Sequence, residues 1–360
     1  MGQTLTIRPA RLRQFGPSRD CGFVVVTTPT MAKNIEIDAT GAEYDSAIVI
    51  TLGDSERFEE ALASRIPDDS HVLAVCPDVF FESPSDELLG PRRKLLAMAC
   101  NSTPTSPEVI QHFYEIMERT SSQAQDAFSD TFFELLEESE ELVYADAKRG
   151  TMATLQHLQD GLVWNQQAGS VDWGEQQIVP SGEISVLPVE ITEFSSSLHL
   201  PLAGDIVFRG YPILHNGTPS FTREDQARIH GELACLNHSA VIAHVEDGII
   251  TRIQPENDGA RPAARMLEAM FSVDSRYQIV WEMGHALNTS LDLLPGNHAM
   301  NEVYGGTDGC LHWGLGLTPY TQYHLDIISP DTTVSTSRGT IVLGVEGGYQ
   351  EDRLASPAAS

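Results

Sequence analysis

Four continuous apolar runs in the first half of the chain constrain its fold most. They occupy residues 23–27, 47–52, 71–76 and 94–100. Strands that are covered on both faces read as unbroken apolar runs of this length, whereas half-exposed strands alternate. Helical segments separate the runs: one is predicted over 54–66, and another follows Ser106-Pro107, a cap and a first-turn proline. The alternation predicts an α/β N-terminal domain with a mainly parallel sheet.

The second half has a different pattern. Residues 164–180 are polar and contain glycines, so we predict a domain boundary there, with domains at 1–175 and 176–360. Beyond it, short strands and turns are interrupted by one clear helix. That helix has Pro262 in its first turn and an apolar face made of Met266, Leu267, Met270 and Phe271. The pattern predicts an α+β C-terminal domain with mainly antiparallel strands.

Charge and composition exclude several classes of function. The formal net charge is −29, from 51 acidic and 22 basic side chains, so the chain lacks the basic footprint that nucleic-acid binding requires. No apolar run approaches the ~20 residues of a membrane span. The five cysteines are scattered, which favours a reducing compartment. These features predict a cytoplasmic protein that binds neither nucleic acid nor membrane.

A His-x-Asp motif on an apolar strand is the clearest chemical feature. His324 and Asp326 lie in the run Tyr-His-Leu-Asp-Ile-Ile, and alternating strand side chains two apart share a face, roughly 6–7 Å from each other. His312 lies in a second apolar strand twelve residues upstream, and a third apolar stretch ends in Glu282. Imidazoles and carboxylates projecting from rigid strands suit a divalent transition metal.

Five residues in ordered contexts form the predicted ligand set. They are Glu183, Glu282, His312, His324 and Asp326. A co-catalytic pair of divalent cations, ~3.5–4 Å apart, uses this mixture, with one carboxylate bridging. Glycines flank several of these positions and allow close backbone approach. No HExxH, GxSxG, Walker or strand-linked GxGxxG motif is present, so these enzyme classes have no support in the sequence.

Four segments also resemble a known family. The four segments follow one another along the chain in this order: Val-Pro-Ser-Gly-Glu-Ile ending at Ile184, Glu-Met-Gly-His-Ala-Leu-Asn ending at Asn288, Asn-Glu-Val…His-Trp-Gly-Leu-Gly ending at Gly316, and Tyr-His-Leu-Asp-Ile-Ile ending at Ile328. This order resembles the motifs of the thermophilic metallo-aminopeptidases of the aminopeptidase T and S type. The resemblance covers residues 176–330.

The resemblance implies an activity and a ligand set. It implies that the same five residues bind two metals (Zn²⁺, Mn²⁺ or Co²⁺), which lower the pKa of a water and polarise an amide carbonyl. The substrate would be the free N-terminus of a peptide or a small amide, and the protein a homodimer. Glu183 would be a ligand or the general base. The family's catalytic tyrosine falls at Pro319, so the adjacent Tyr320 is the candidate for oxyanion stabilisation.

Two other readings remain open. The motif order also resembles dihydroxypyridine ring-cleaving dioxygenases, which use one Fe(II) held by two histidines and one aspartate. Their second histidine falls at Glu282 here, so His285 or His312 would have to complete a triad with His324 and Asp326. A third reading is a peptide-binding protein with a degenerate site. It is favoured by the displaced tyrosine and by Asn-Glu-Val at 301–303, where the aminopeptidases have Asp-Glu-Lys.

Three further histidines have weaker claims to the site. His199 and His215 lie on predicted strands of the second half, where they could line the pocket, although a structural role is favoured for each. His298 lies in a loop where the resembled family places active-site elements.

Overall fold

The computed structural model describes residues 4–53, 55–79, 81–189, 199–218, 220–294, 302–306, 309–317 and 320–344. The strands within these ranges are β1 (Leu5–Ile7), β2 (Gly22–Thr27), β3 (Ile35–Ile37), β4 (Ser46–Thr51), β5 (Ser70–Val75), β6 (Arg93–Met98), β7 (Leu142–Asp146), β8 (Thr151–Leu155), β9 (Leu162–Gln167), β10 (Gln176–Val179), β11 (Glu183–Pro188), β12 (Leu202–Phe208), β13 (Tyr211–Asn216), β14 (Val241–Glu246), β15 (Ile249–Pro255), β16 (Val280–Ala286), β17 (Cys310–Leu315), β18 (Tyr323–Ser329), β19 (Thr333–Thr336) and β20 (Ile341–Leu343). The helices are α1 (Pro29–Ala32), α2 (Phe58–Ser64), α3 (Asp86–Leu89), α4 (Pro107–Arg119), α5 (Ser122–Glu137), α6 (Arg223–Leu233) and α7 (Arg261–Val273).

The chain divides into two compact units, each built from two segments. The first contains Met1–Asp126 and Gln167–Ser181, and the second contains Ala127–Gln166 and Gly182–Ser360. The predicted boundary at 175/176 falls inside the second segment of the first unit. Across the described ranges, no helix combines the length and apolar character needed to cross a bilayer.

A five-stranded parallel sheet forms the centre of the first unit. Its strand order is β10-β6-β5-β2-β4, and every neighbouring pair is parallel. The four predicted apolar runs are β2, β4, β5 and β6, which confirms the expected α/β class. Strands β2, β5 and β6 are almost wholly buried, but β4 lies at an edge, where Ile48 and Val49 are exposed. The fifth strand, β10, comes from the segment that returns to this unit.

Two helices flanking this sheet begin near the predicted positions. The Ser106 side chain accepts a hydrogen bond from the backbone N–H of Val109, and Pro107 is the first residue of α4, as predicted. Helix α2 is shorter than the predicted 54–66 segment and buries Phe58, Ala61 and Leu62. The predicted N-cap at residue 54 lies outside the described residues.

Antiparallel sheets dominate the second unit, which confirms the predicted α+β class. A seven-stranded sheet has the order β15-β14-β12-β8-β7-β19-β20, and a six-stranded sheet has the order β13-β18-β17-β16-β11-β9. In the six-stranded sheet, the ladders from β13 through β18, β17 and β16 to β11 are antiparallel. These five strands carry the residues considered below.

One face of the six-stranded sheet is buried in the core of the unit. Trp281 and Trp313 are fully buried, and the indole N–H of Trp313 donates to the carbonyl of Val207 in the other sheet. His285 lies on the same face, where its Nδ1 is 2.9 Å from the Ile184 carbonyl oxygen and its Nε2 is 3.1 Å from the Tyr144 hydroxyl. Strand alternation therefore directs the neighbouring residues 282 and 284 to the opposite face.

The sequence indicates one clear helix in the second half, whereas the described residues there contain two α-helices. The predicted helix is α7, which buries Leu267 and Met270, while Met266 and Phe271 are half-buried. The additional helix is α6. Its side chains are mainly polar, and it buries only a narrow stripe of Gln226, Ile229 and Leu233.

Candidate metal centre

The other face of the six-stranded sheet carries the ligand-type side chains. His324 and Asp326 project together from β18, as the strand period requires. On the neighbouring strand β17, Gly314 lies opposite Asp326. Across the next ladder, Gly284 of β16 pairs with His312, and a register shift precedes Glu282. Antiparallel pairing alone therefore places residues that are distant in sequence side by side.

These residues form three overlapping groups within the described chain. In each group the donor atoms lie within 4.8 Å of one another. The groups are Glu183–Glu282–His312, Glu282–His324–Asp326 and His215–Glu302–Asp326. Each contains one imidazole and two carboxylates, and neighbouring groups share a carboxylate.

The first group lies where β11, β16 and β17 run side by side. His312 Nε2 is 3.6 Å from Glu183 Oε1 and 3.9 Å from Asp326 Oδ1. Glu183 and His312 are 8% and 1% exposed. The Nδ1 of His312 is buried and has no hydrogen-bond partner among the described residues, so Nε2 is the atom that faces the carboxylates.

The second group is centred on His324. Its Nε2 is 3.2 Å from Asp326 Oδ1 and 3.5 Å from Glu282 Oε2. On the other side of the ring, Nδ1 lies 2.5 Å from the carbonyl oxygen of Gly316, to which it donates. A backbone acceptor for one ring nitrogen fixes the tautomer and leaves the other nitrogen free to bind a metal.

The third group contains two residues that were not among the predicted ligands. His215 Nε2 is 2.5 Å from Glu302 Oε1 and 3.0 Å from Asp326 Oδ2. His215 pairs with His324 across the β13–β18 ladder, and their rings stack with centroids 5.7 Å apart. Asp326 therefore directs Oδ2 toward His215 and Oδ1 toward His324 and His312.

Two glycines make room for these side chains. A Cβ on Gly284 would overlap the imidazole of His312, so only glycine leaves room for that ring. A Cβ on Gly314 would lie 2.8 Å from Glu282 Cβ and 3.1 Å from Asp326 Oδ1. Glycine at both positions keeps the space between the ligand-type residues open.

The centre concentrates negative charge, and among the described residues no lysine or arginine forms an ion pair with it. Its four carboxylates belong to Glu183, Glu282, Glu302 and Asp326, and their ion pairs there all involve histidines. The four carboxylates outnumber the three imidazoles that approach them, and incompletely compensated buried charge is costly. Divalent cations would balance this charge, which is the first indication that the donor set fits metals.

Ionisation within the centre reflects the same crowding. Burial, followed by the charges of Glu282, Glu302 and Asp326, holds the pKa of Glu183 well above its ordinary value. Burial opposes ionisation of Asp326 too, but the charge of His324 outweighs it, and its pKa is well below the usual range. The opposing charges in turn raise the pKa of His324 despite its burial. Titratable groups with displaced pKa values cluster at functional sites.

The chemistry of the donors agrees with a metal centre. Imidazole nitrogen and carboxylate oxygen are ligands for Zn²⁺, Mn²⁺ and Co²⁺. Asp326 Oδ1 is enclosed and accepts no well-aligned hydrogen bond from the described residues, although two imidazoles approach it. The convergent donors and the glycine-lined space around them therefore fit a cation, and they do not distinguish which metal binds.

The structure brings all five predicted ligands together on one sheet face. Glu183, Glu282, His312, His324 and Asp326 each belong to at least one of the three groups. For Tyr320, the backbone N–H donates to the Leu317 carbonyl, and the proposed oxyanion role of its hydroxyl stays a prediction. Pro319 lies outside the described residues.

The other histidines differ in their relation to the centre. His285 faces the buried side of the sheet, so it does not replace Glu282. His199 is 3.7 Å from Asp247 and belongs to none of the three groups. His298 lies outside the described residues. His215 belongs to the third group, a role for which a single histidine in an apolar strand gave little indication.

Comparisons with known proteins show a fold relationship. No family model and no curated protein matches the chain. Among solved structures, the chain is similar to 2,5-dihydroxypyridine dioxygenase from Pseudomonas putida KT2440, with a TM-score of 0.54 and 13% identity, covering 94% of this chain and 93% of that one. AmpT from Thermus thermophilus matches with a TM-score of 0.42 and 12% identity, covering 95% and 97%. The first similarity shows a shared fold.

Proposed function

We propose that this protein is a metal-dependent hydrolase that cleaves an amide or peptide bond near a free N-terminus. One observation carries the proposal: the first two groups each combine one imidazole with two carboxylates and share Glu282. A shared carboxylate between two oxygen-rich sites is the arrangement of co-catalytic metal pairs in hydrolases. Glu183 and His312 would hold one cation, and His324 and Asp326 the other.

The chain's own residues have distinct tasks in such a reaction. Bound cations supply Lewis acidity, which lowers the pKa of water and polarises the scissile carbonyl. Glu183 would be either the ligand beside His312 or the general base that accepts the proton of the attacking water and passes it to the leaving amine. The excess of carboxylates favours a substrate with an ammonium group. Tyr320 would donate a hydrogen bond to the developing oxyanion.

Assembly and location belong to the same proposal. We propose a homodimer that works in the cytoplasm on a peptide or small-molecule substrate, without nucleic-acid or membrane partners. All five cysteines are free, which is compatible with a reducing compartment.

A second candidate function is an Fe(II)-dependent ring-cleaving dioxygenase. The fold similarity to 2,5-dihydroxypyridine dioxygenase favours it. The usual Fe(II) triad contains two histidines and one carboxylate. His285 faces the other side of the sheet, so the triad open to this candidate is His312, His324 and Asp326, whose two imidazoles lie 3.9 and 3.2 Å from Asp326 Oδ1. Each of the three compact donor groups instead combines one imidazole with two carboxylates, which favours the hydrolase.

The deciding experiment combines metal analysis with two activity assays. Protein purified anaerobically would be analysed for metals and then assayed with aminoacyl 4-nitroanilides and with 2,5-dihydroxypyridine. We expect at least two Zn²⁺, Mn²⁺ or Co²⁺ per chain and chelator-sensitive release of nitroaniline. The isosteric Glu282→Gln variant should lose both, whereas Glu246→Gln, an exposed glutamate on β14, should retain both.

Two results would contradict the hydrolase. A single iron per chain with oxygen consumption on the dihydroxypyridine would assign the dioxygenase. Peptide binding that persists in metal-free Glu282→Gln protein, with neither activity in the wild type, would assign a non-catalytic binding protein.

A further inference from the structure

We infer that His215 and Glu302, together with the carboxylate oxygen Oδ2 of Asp326, form an additional cation site beside the proposed metal pair. The inference extends the proposed centre by one position, and it concerns binding of a divalent cation rather than hydrolysis. It assigns ligand roles to two residues that the sequence motifs leave without one.

The donor atoms of this site converge on one point. Glu302 Oε1 and Asp326 Oδ2 approach the same atom, Nε2 of His215, at 2.5 and 3.0 Å. His215, Glu302 and Asp326 are 7%, 6% and 1% exposed. A hydrogen on one nitrogen aligns well with only one acceptor, whereas a cation accepts donors from several directions. Convergence of two carboxylates on a single nitrogen therefore favours a shared cation.

The two oxygens of Asp326 separate this site from the proposed pair. Oδ2 lies 3.0 Å from His215 Nε2, whereas Oδ1 lies 3.2 Å from His324 Nε2 and 3.9 Å from His312 Nε2. His215 is on β13, the end strand of the sheet, next to β18. Asp326 can therefore bind one cation through each oxygen, with His215 and Glu302 completing the set around Oδ2.

Backbone hydrogen bonds position His215 and the residues that follow Glu302. His215 is fixed by the β13–β18 ladder opposite His324. Glu302 precedes a short bridge in which the N–H of Asn288 donates to the Val303 carbonyl and the N–H of Gly305 donates to the Asn288 carbonyl, both at 3.0 Å. A metal site needs ligands that the fold positions, and here a ladder positions His215 and the neighbouring bridge positions Glu302.

The charge of the buried carboxylates also favours a cation at this position. The two groups that contain Glu282 include three carboxylates, and Glu302, which is 6% exposed, adds a fourth. In the described part of the chain, the ion pair of Glu302 is with His215, and no lysine or arginine reaches it. A cation at this position would compensate both Glu302 and the second oxygen of Asp326.

The test counts bound cations in the absence of substrate. Wild type, Glu302→Gln and His215→Gln would be dialysed against equal free Mn²⁺ or Zn²⁺, and bound metal measured by mass spectrometry. We expect each variant to bind one cation per chain fewer than the wild type and to keep its far-ultraviolet circular dichroism. The matched control Glu246→Gln should bind the wild-type number.

A second measurement keeps the inference testable where a variant does not fold. When wild-type protein is titrated with Co²⁺, the visible absorption should keep changing until three equivalents of Co²⁺ are bound. The proposed pair accounts for two of them. Equal cation counts in the wild type and Glu302→Gln, or saturation at two equivalents of Co²⁺, would overturn the site and leave His215 and Glu302 as a hydrogen-bonded pair. A wild type that binds cations without hydrolysing any substrate would contradict the hydrolase alone.

Discussion

At the scale of single residues, small side chains control the centre as much as the ligands do. His312 occupies the space that a side chain at position 284 would need, and the two residues face each other across the β16–β17 ladder. His324 is oriented by a backbone carbonyl rather than by another side chain. Such supporting contacts determine which nitrogen faces a metal.

Gly284→Ala should weaken metal binding by about 10–100-fold, because the new methyl group displaces the imidazole of His312. Competition with a chromogenic chelator measures the affinity. Gly231→Ala is the matched control, since nothing lies within 4 Å of a Cβ at that position in α6. The control should leave affinity unchanged and add about 0.5–1 kcal/mol of stability. Equal affinities in both variants would show that His312 is not a ligand.

At the scale of elements, the sequence predicts strands well and their partners poorly. The apolar runs identify β2, β5 and β6, and the His-x-Asp period identifies the face of β18 that carries the ligand-type side chains. Helix α6 was missed because its buried stripe is narrow and its first turn is acidic. Sequence patterns give a strand its period but not its neighbours, so the pairing of His215 with His324 was not predictable.

Glu302 illustrates the same limit at the centre. It belongs to a short segment held by the bridge between Asn288 and Tyr304, and neither its burial nor its neighbour His215 follows from local sequence. The five predicted ligands were accessible because each lies on a strand or in a resembled motif. His215 and Glu302, by contrast, join the centre only through tertiary contacts.

Ser106→Ala should destabilise the protein by about 1 kcal/mol, because the Ser106 side chain accepts the hydrogen bond of the Val109 N–H at the start of α4. Urea unfolding monitored by circular dichroism measures the loss. Ser106→Asp, which retains an N-cap acceptor, should stay near the wild type. Metal content should be unaffected in both variants, since α4 belongs to the first unit and the centre to the second.

At the scale of the whole molecule, charge and buried histidines link stability to solution conditions. The net charge of −29 opposes compaction, and four of the carboxylates that contribute to it lie in the centre, where their ion pairs in the described chain are with histidines alone. Each unit also buries a neutral histidine: burial lowers the pKa of His71 to about 4 and that of His285 to about 3.

Metal-free protein should therefore lose stability as the pH falls below about 6.5. In that range the unfolded chain protonates His285 while the folded chain does not, so unfolding takes up a proton. The slope contributed by one such histidine approaches about 1.4 kcal/mol per pH unit. Urea unfolding in chelator at pH 7 and pH 5 should show a shallower slope for His285→Gln than for the wild type. Parallel slopes would mean that His285 is protonated in the folded protein.

Divalent cations should raise the melting temperature far more than sodium chloride of equal ionic strength. Cations that bind only the folded state stabilise it by about 2.7 kcal/mol at one hundred times the dissociation constant. Differential scanning calorimetry with Mn²⁺ or Zn²⁺ measures the shift. Glu282→Gln should lose most of it, because Glu282 belongs to two of the three groups. Equal shifts with both salts would indicate screening alone.

Glu282 pairs with Gly314, next to Asp326 and His324. The backbone pairing determines where a ligand lies, whereas the side chain at that position determines which type of ligand it is. Hydrogen-bonded ladders set each position, so exchanging one side chain alters metal preference without rebuilding the scaffold. Glu282→His would place a second imidazole beside His324 and Asp326 and shift selectivity toward ferrous iron. A sheet of this kind can thus move between distinct chemistries in a single mutational step.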